Sequence, residues 1–225
     1  RIIEKLPIIR SNTFVELIPN SVDLRIFSPS SSVDSLYQKS SGFRLGYVGS
    51  LGTWYLLDQM LDVFIMLSEK ISGAEFFIVN NSQHDIISSR LAHKSVAPSL
   101  VKVVSLKPWE VPSAISTFDL GISLIKPCFS KLAASPTKIP EYLAMGVPVL
   151  ANFGVGDITE LLEDDRVGIS LRSFEIEDMR HGLSKAINLS NQPGISKRCR
   201  NSAKNHFNLS SAVTKLDNIY TRYLR

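Results

Sequence analysis

Short apolar runs alternate with amphipathic segments along most of the 225-residue chain. Residues 43–49, 76–79, 101–104, 120–125, 147–151 and 168–171 are rich in Val, Ile, Leu and Phe and are bounded by Gly, Pro or polar residues. That pattern predicts short buried strands. Between them Leu56, Met60, Val63, Phe64 and Leu67 recur at helical spacing, as do Ile176, Met179, Leu183 and Ile187. Residues 85–92, 108–118 and 158–163 read as further helices, with Pro108 and Glu110 opening the second of these. A last helical segment runs from residue 196, is interrupted near residues 205–209, and carries Leu216, Ile219, Tyr220 and Tyr223. Strands that alternate with helices predict a doubly wound parallel α/β sheet, because parallel neighbours need right-handed crossovers covering both faces.

The ends of the chain follow other patterns. Residues 13–18 predict a short strand closing on the turn Pro19-Asn20-Ser21-Val22-Asp23. Residues 28–42 are dominated by serine and read as a solvated linker, with a partly helical insert around residues 33–38 as the alternative. The expected organisation is thus a linker over residues 1–42, a Rossmann-like domain over 43–195, and C-terminal helices over 196–225 that pack back on it.

A content of 44% hydrophobic and 20% charged residues is that of a compact globular protein and excludes extended disorder. The net charge of +4 admits an anionic ligand or an anionic surface. Nucleic acid is not expected, because Lys and Arg are scattered outside the last thirty or so residues and aromatics do not interleave with them. The basic segment holding Lys197, Arg198, Arg200, Lys204 and His206 reads as a solvated helix face, with peripheral attachment to an anionic membrane as the alternative. Cys128 and Cys199 form no Cys-x-x-Cys pair and suggest neither zinc nor a disulfide framework, which fits a reducing, cytoplasmic setting. No apolar run reaches membrane-spanning length, and the opening Arg1-Ile2-Ile3-Glu4-Lys5 lacks the apolar core of a signal peptide. The absence of a starting Met suggests a piece of a longer protein.

Two stretches carry candidate chemistry. In Ser135-Pro136-Thr137-Lys138-Ile139-Pro140-Glu141, followed by Gly146 and Pro148, the spacing predicts a turn, a short helix, a glycine stop and a buried strand. Lys138 and Glu141 lie three apart on one helical face, which suits an ordinary ion pair. Where a parallel sheet hands over to helices, the same two side chains suit a phosphate and a ribose hydroxyl. The run Gly46-Tyr47-Val48-Gly49-Ser50-Leu51-Gly52 places glycines at a strand-to-helix turn, where backbone amides can approach an anion or where the glycines serve only steric needs. It is neither the dinucleotide fingerprint nor a P-loop. Trp54 and Tyr55 flank the mouth of that expected pocket, as packing or as a stacking surface. Asp157, after Gly154-Val155-Gly156, reads as a helix N-cap. The four histidines sit in polar contexts, and no catalytic triad or His-x-x-x-His pair is present.

Several of these stretches together resemble the family 4 glycosyltransferases of the GT-B fold. Ile18-Pro19-Asn20-Ser21-Val22-Asp23 resembles their interdomain linker, commonly Ile-Pro-Asn-Gly-Val-Asp, and Tyr47-Val48-Gly49-Ser50-Leu51 their first C-domain strand and turn. Ser135 to Lys138, then Glu141-Tyr142-Leu143-Ala144-Met145-Gly146-Val147-Pro148-Val149, resembles their donor segment, and Gly154-Val155-Gly156-Asp157 with Glu160 its continuation. The likeness covers nearly the whole chain. It implies the C-terminal, nucleotide-sugar-binding half of a retaining, hexosyltransferase-type enzyme of polysaccharide or glycolipid biosynthesis. The donor would be a UDP-, GDP- or ADP-sugar, with no cofactor and no metal. Glu141 would hold the ribose, Lys138 the diphosphate, and Gly49, Ser50, Gly52, Ser135 and Thr137 would line the donor site. The resemblance also implies an N-terminal GT-B domain that brings an acceptor glycan or lipid-linked sugar, without which the chain would be inactive; the expected place is cytoplasmic, with peripheral contact at the inner membrane face as the alternative. Three positions depart from the pattern. Ala133 stands where the first Glu of the Glu-x7-Glu motif falls, Ser50 where an Arg does, and Tyr55 where a Lys does. The alternative is a non-catalytic nucleotide-binding or interaction module of the same fold.

Overall fold

The computed structural model describes residues 14–29, 37 and 42–224. Six parallel strands form its centre: β1 (Arg44–Val48), β2 (Glu75–Val79), β3 (Val101–Val104), β4 (Leu120–Ser123), β5 (Val149–Asn152) and β6 (Gly168–Leu171). Their order in the sheet is β3-β2-β1-β4-β5-β6, so the chain reverses its direction of winding between β1 and β4. A sheet of this kind leaves a crevice beyond the carboxyl ends of the strands at the reversal.

Because successive side chains on a strand point to opposite faces, each strand feeds two cores. Leu45, Tyr47, Phe76, Ile78, Leu120, Ile122 and Leu150 pack on one face against α1 (Leu57–Lys70), α2 (His84–His93) and α6 (Ile176–Ser190). Val48, Phe77, Val79, Val149 and Ala151 pack on the other, against α3 (Val111–Ile115), α4 (Lys138–Ala144), α5 (Ile158–Asp164) and α7 (Ile195–His206). The apolar positions of α1 and α6 picked out by their spacing are buried except Leu56, half-buried before α1, and Ile176, exposed at the start of α6.

Arg44 is the largest fully buried side chain, at 1% exposure. Its guanidinium donates to a Glu75 carboxylate oxygen at 2.7 and 2.9 Å, to the Thr117 hydroxyl at 2.6 Å and to the Tyr37 carbonyl at 2.9 Å. A buried cation is tolerated only with such partners.

The predicted helix over 108–118 shortens to Val111–Ile115, preceded by a turn in which the Glu110 carboxylate accepts from the Lys107 N–H at 2.7 Å. The predicted strand over 13–18 does not form. Residues 14–21 carry no strand pairing, and the first bridge is Val22 to Asn208, where α8 (Leu209–Tyr223) begins. Val22 instead donates to the Phe207 carbonyl at 2.8 Å. Most of the serine-rich linker, including the insert expected at 33–38 apart from Tyr37, lies outside the described residues. The break near 205–209 falls between α7 and α8.

α7 packs on α4 and ties the linker turn to it. The Arg200 guanidinium donates to the Ala144 carbonyl at 2.6 Å, to the Leu24 carbonyl at 2.8 Å and to the Phe27 carbonyl.

Candidate functional site

The position of α4 follows from two glycines that are cross-strand partners. Gly46 of β1 lies opposite Gly121 of β4. A Cβ on Gly121 would come within 2.6 Å of the Tyr142 ring, and one on Gly46 would run into the Phe118 ring. The missing side chains therefore open a depression in the sheet that Phe118 and Tyr142 fill, their ring centroids 6.3 Å apart. Tyr142 is wholly buried, and its hydroxyl accepts from the Val48 N–H at 2.8 Å. Burial pushes the Tyr142 phenol well above its ordinary range, so it remains a neutral anchor. One turn of α4 is thereby held against the end of β1, which sets Lys138 and Glu141 over the crevice.

A cavity of about 690 Å³ occupies that crevice. Gly49 and Ser50 line it beyond β1, Asn80 and Asn81 beyond β2, Leu106 and Trp109 beyond β3, and Lys138 and Glu141 from α4. Ile26 and Phe27 of the linker turn also reach it. Lys138 Nζ lies 3.0 and 3.3 Å from the two Glu141 carboxylate oxygens. The residues form the ion pair expected from their spacing, and both face the cavity. Burial raises the Glu141 carboxyl above its ordinary value, and the Lys138 charge and hydrogen bond pull it back in part.

The turn after β1 is fixed by carboxamides. Asn80 Nδ2 donates to the Gly49 carbonyl at 2.9 Å, the Leu51 N–H donates to Gln83 Oε1 at 2.5 Å, and Gln83 Nε2 returns a bond to the Leu51 carbonyl. The Gly49 N–H donates to the Val79 carbonyl at 3.0 Å, and the Ser50 carbonyl accepts the Tyr47 hydroxyl at 2.7 Å. Gly49 takes φ +156, open to glycine. Two amides of the turn expected to bind an anion are thus already engaged, and Ser50 is the residue of that turn that faces the cavity with its side chain exposed.

The other predicted site residues lie elsewhere. Gly52 does not line the cavity. Ser135 lies just before α4 in the chain, and its hydroxyl accepts the Asn20 N–H at 3.0 Å while its carbonyl accepts Asn20 Nδ2. Two motifs 115 residues apart in sequence therefore meet as protein-to-protein contacts. Thr137 precedes α4 and makes no side-chain cap. Ala133 ends an exposed 3-10 turn, Phe129–Ala133. Tyr55 packs edge-on against Tyr47 at 6.0 Å and bridges antiparallel to Ile125, while Trp54 lies under Lys131 Nζ at 4.2 Å. Neither lines the cavity mouth where the sequence reading put them. Asp157 is the N-cap residue of α5, as the sequence reading placed it, but its side chain makes no capping bond. Asn80, Asn81 and Trp109 are cavity residues that sequence reasoning missed; the polar run Asn80-Asn81-Ser82-Gln83 directly after an apolar strand was the available signal.

Among the described residues no group of three or more His, Cys, Asp or Glu side chains could hold a metal ion, and no helix is long and apolar enough to cross a membrane. Cys199 is buried and its thiol is pushed up to about 12, so it is inert core.

The fold is the α/β Rossmann-like fold of GT-B glycosyltransferases, which its structural neighbours share. Among them, a glycosyltransferase from Rickettsia africae ESF-5 superposes with a TM-score of 0.75 at 15% identity, over 92% of this chain and 57% of that one. HepE of Anabaena, solved in complex with UDP and glucose, gives 0.70 at 16% identity over 92% and 56%. The C-terminal domain of LpcC, a group 1 family glycosyl transferase from Francisella tularensis, gives 0.63 at 15% identity, over 84% of this chain and 99% of that domain. The chain spans a little over half the length of the first two. No protein-family model and no curated protein matches the sequence.

Proposed function

We propose that this chain is the donor-binding domain of a retaining, hexosyltransferase-type glycosyltransferase of family 4, acting in polysaccharide or glycolipid assembly at the cytoplasmic face of a membrane. The observation that carries the reading is the Lys138–Glu141 pair facing a 690 Å³ cavity at the carboxyl ends of β1, β2 and β3. In this reading the Lys138 ammonium meets the diphosphate of a UDP-, GDP- or ADP-sugar, the Ser50 hydroxyl adds a neutral donor, and the Glu141 carboxylate accepts from the ribose hydroxyls. As the bond from the sugar to the diphosphate breaks, negative charge grows on the leaving phosphate, and a cation already in place stabilises it without reorganisation. UDP in the HepE complex supports a nucleotide-sugar donor, and the match to the whole LpcC C-terminal domain supports placing this unit after an acceptor-binding domain. The acceptor, a glycan or lipid-linked sugar, would come through that domain, so these 225 residues alone are expected to transfer nothing.

One feature favours a second reading. Among the described residues lining the cavity Lys138 is the single cation, it is already paired, and Ser50 and Tyr55 stand at the positions where the resemblance expects charge. A module that binds nucleotide without transfer has the same site. Calorimetry with UDP, GDP and ADP tests the shared premise: binding in the micromolar to millimolar range, lost in Glu141→Ala, is expected. No binding by any of the three at millimolar concentration would overturn both readings.

A further inference from the structure

The wall of the cavity beyond β3 is built of Asn81, Leu106, Pro108, Trp109 and Val111. Two of its backbone donors are occupied and a third is missing. The Leu106 N–H donates to Asn81 Oδ1 at 3.0 Å, and Asn81 Nδ2 donates back to the Leu106 carbonyl at 3.0 Å. The Lys107 N–H donates to Glu110 Oε2 at 2.7 Å, and Pro108 has no N–H. An internal carboxamide thus engages both the backbone donor and the backbone acceptor of Leu106. The neighbouring Asn80 amide is held by Gly49, and its oxygen accepts from the N–H groups of Ser82 and Gln83.

What this wall does offer is a flat apolar face. Trp109 is 70% exposed although it lines the cavity, and Lys107 Nζ lies 5.3 Å from its ring centroid. An indole with a cation beside it is a stacking surface, and stacking is tolerant of base identity because every base has a π-face. From these contacts we infer that the wall beyond β3 receives the base of the nucleoside diphosphate by its face, on Trp109, with the backbone of Leu106 closed to its edge, so that the site takes uracil, guanine and adenine nucleotides alike. The inference rests on the donor-site reading above.

The test is the affinity of the whole chain for UDP, GDP, ADP and inorganic pyrophosphate, measured on the wild type, Trp109→Ala and Trp109→Phe. The three nucleotides are expected to bind within about fivefold of one another, with the purines no weaker than UDP. Trp109→Ala is expected to weaken all three roughly tenfold while leaving pyrophosphate unchanged, and Trp109→Phe to retain most of the affinity. Trp109 is exposed, so thermal unfolding of both variants should match the wild type. One nucleotide bound fiftyfold tighter than the others, or a Trp109→Ala effect equal on nucleotides and pyrophosphate, overturns the inference and leaves the donor site standing. Absence of binding by all three nucleotides removes the donor reading and this inference with it.

Discussion

Replacing Lys138 by methionine keeps the length of the side chain and deletes the ammonium 3.0 Å from the Glu141 carboxylate, its ion-pair partner. Glu141 and Lys138 are only 17% and 26% exposed, so the pair is partly shielded from water. A charge-assisted hydrogen bond of this kind contributes about 1.5–3 kcal/mol, and we take about 2 kcal/mol for its loss. For a chain of this size that lowers the melting temperature by roughly 4–8 °C. The effect must depend on pH. Burial raises the Glu141 carboxyl above its ordinary value, so its contribution to stability is full below that ordinary value and declines as pH rises through the folded one. Lys138 opposes the rise, and its removal moves the folded value further up. The deficit of Lys138→Met relative to wild type should therefore be small near pH 4, grow as pH rises, and level off once the carboxyl ionises in both. Thermal unfolding followed by circular dichroism from pH 4 to pH 8, on Lys138→Met, Glu141→Gln and the double variant, measures this. In the Lys138→Met background, Glu141→Gln should restore most of the lost stability at pH 8, because it removes the stranded charge. A deficit equal at pH 4.5 and pH 8, or no restoration by Glu141→Gln, would refute the reasoning.

Two further perturbations test how the site is held. Tyr142→Phe removes the acceptor of the buried Val48 N–H and should lower stability by about 1–3 kcal/mol in urea denaturation; the proposed donor site further predicts weaker nucleotide binding, because α4 loses its anchor. Arg200→Ala frees the carbonyls of Leu24, Phe27 and Ala144, and is expected to cost about 1–3 kcal/mol and to make the linker turn around residues 24–27 cleavable in limited proteolysis at rates well above wild type. If cleavage there is unchanged, the guanidinium is not what holds the turn.

The six strands and most of the helices were legible in the sequence, since apolar runs such as Phe76 to Val79 and the helical spacing of Met60, Val63, Phe64 and Leu67 are dictated by local burial. The strand expected over 13–18 was not, because a short apolar run becomes a strand only where another strand offers its backbone, and Phe14, Val15 and Leu17 remain exposed with none beside them. The helix over 108–118 was overextended because Glu110, the N-cap residue of α3, turns its carboxylate back to the Lys107 N–H and closes a turn where the helix was expected to begin.

Lys138 and Glu141 could be picked out from their spacing, and their chemistry belongs to the residues themselves. What only the tertiary structure decided is which groups share the cavity with them. Ser135 and Gly52 carry the right chemistry for an anion site, yet Ser135 is turned to Asn20 and Gly52 lies off the cavity. Asn81 is marked only by the polar run after an apolar strand and Trp109 by nothing local, yet the sheet order sets the loops after β2 and β3 side by side and brings both to the cavity wall. Spacing along a chain determines which side chains share one face of one element. Which loops meet at the edge of a sheet is determined by strand order, and that depends on the packing of all six strands at once.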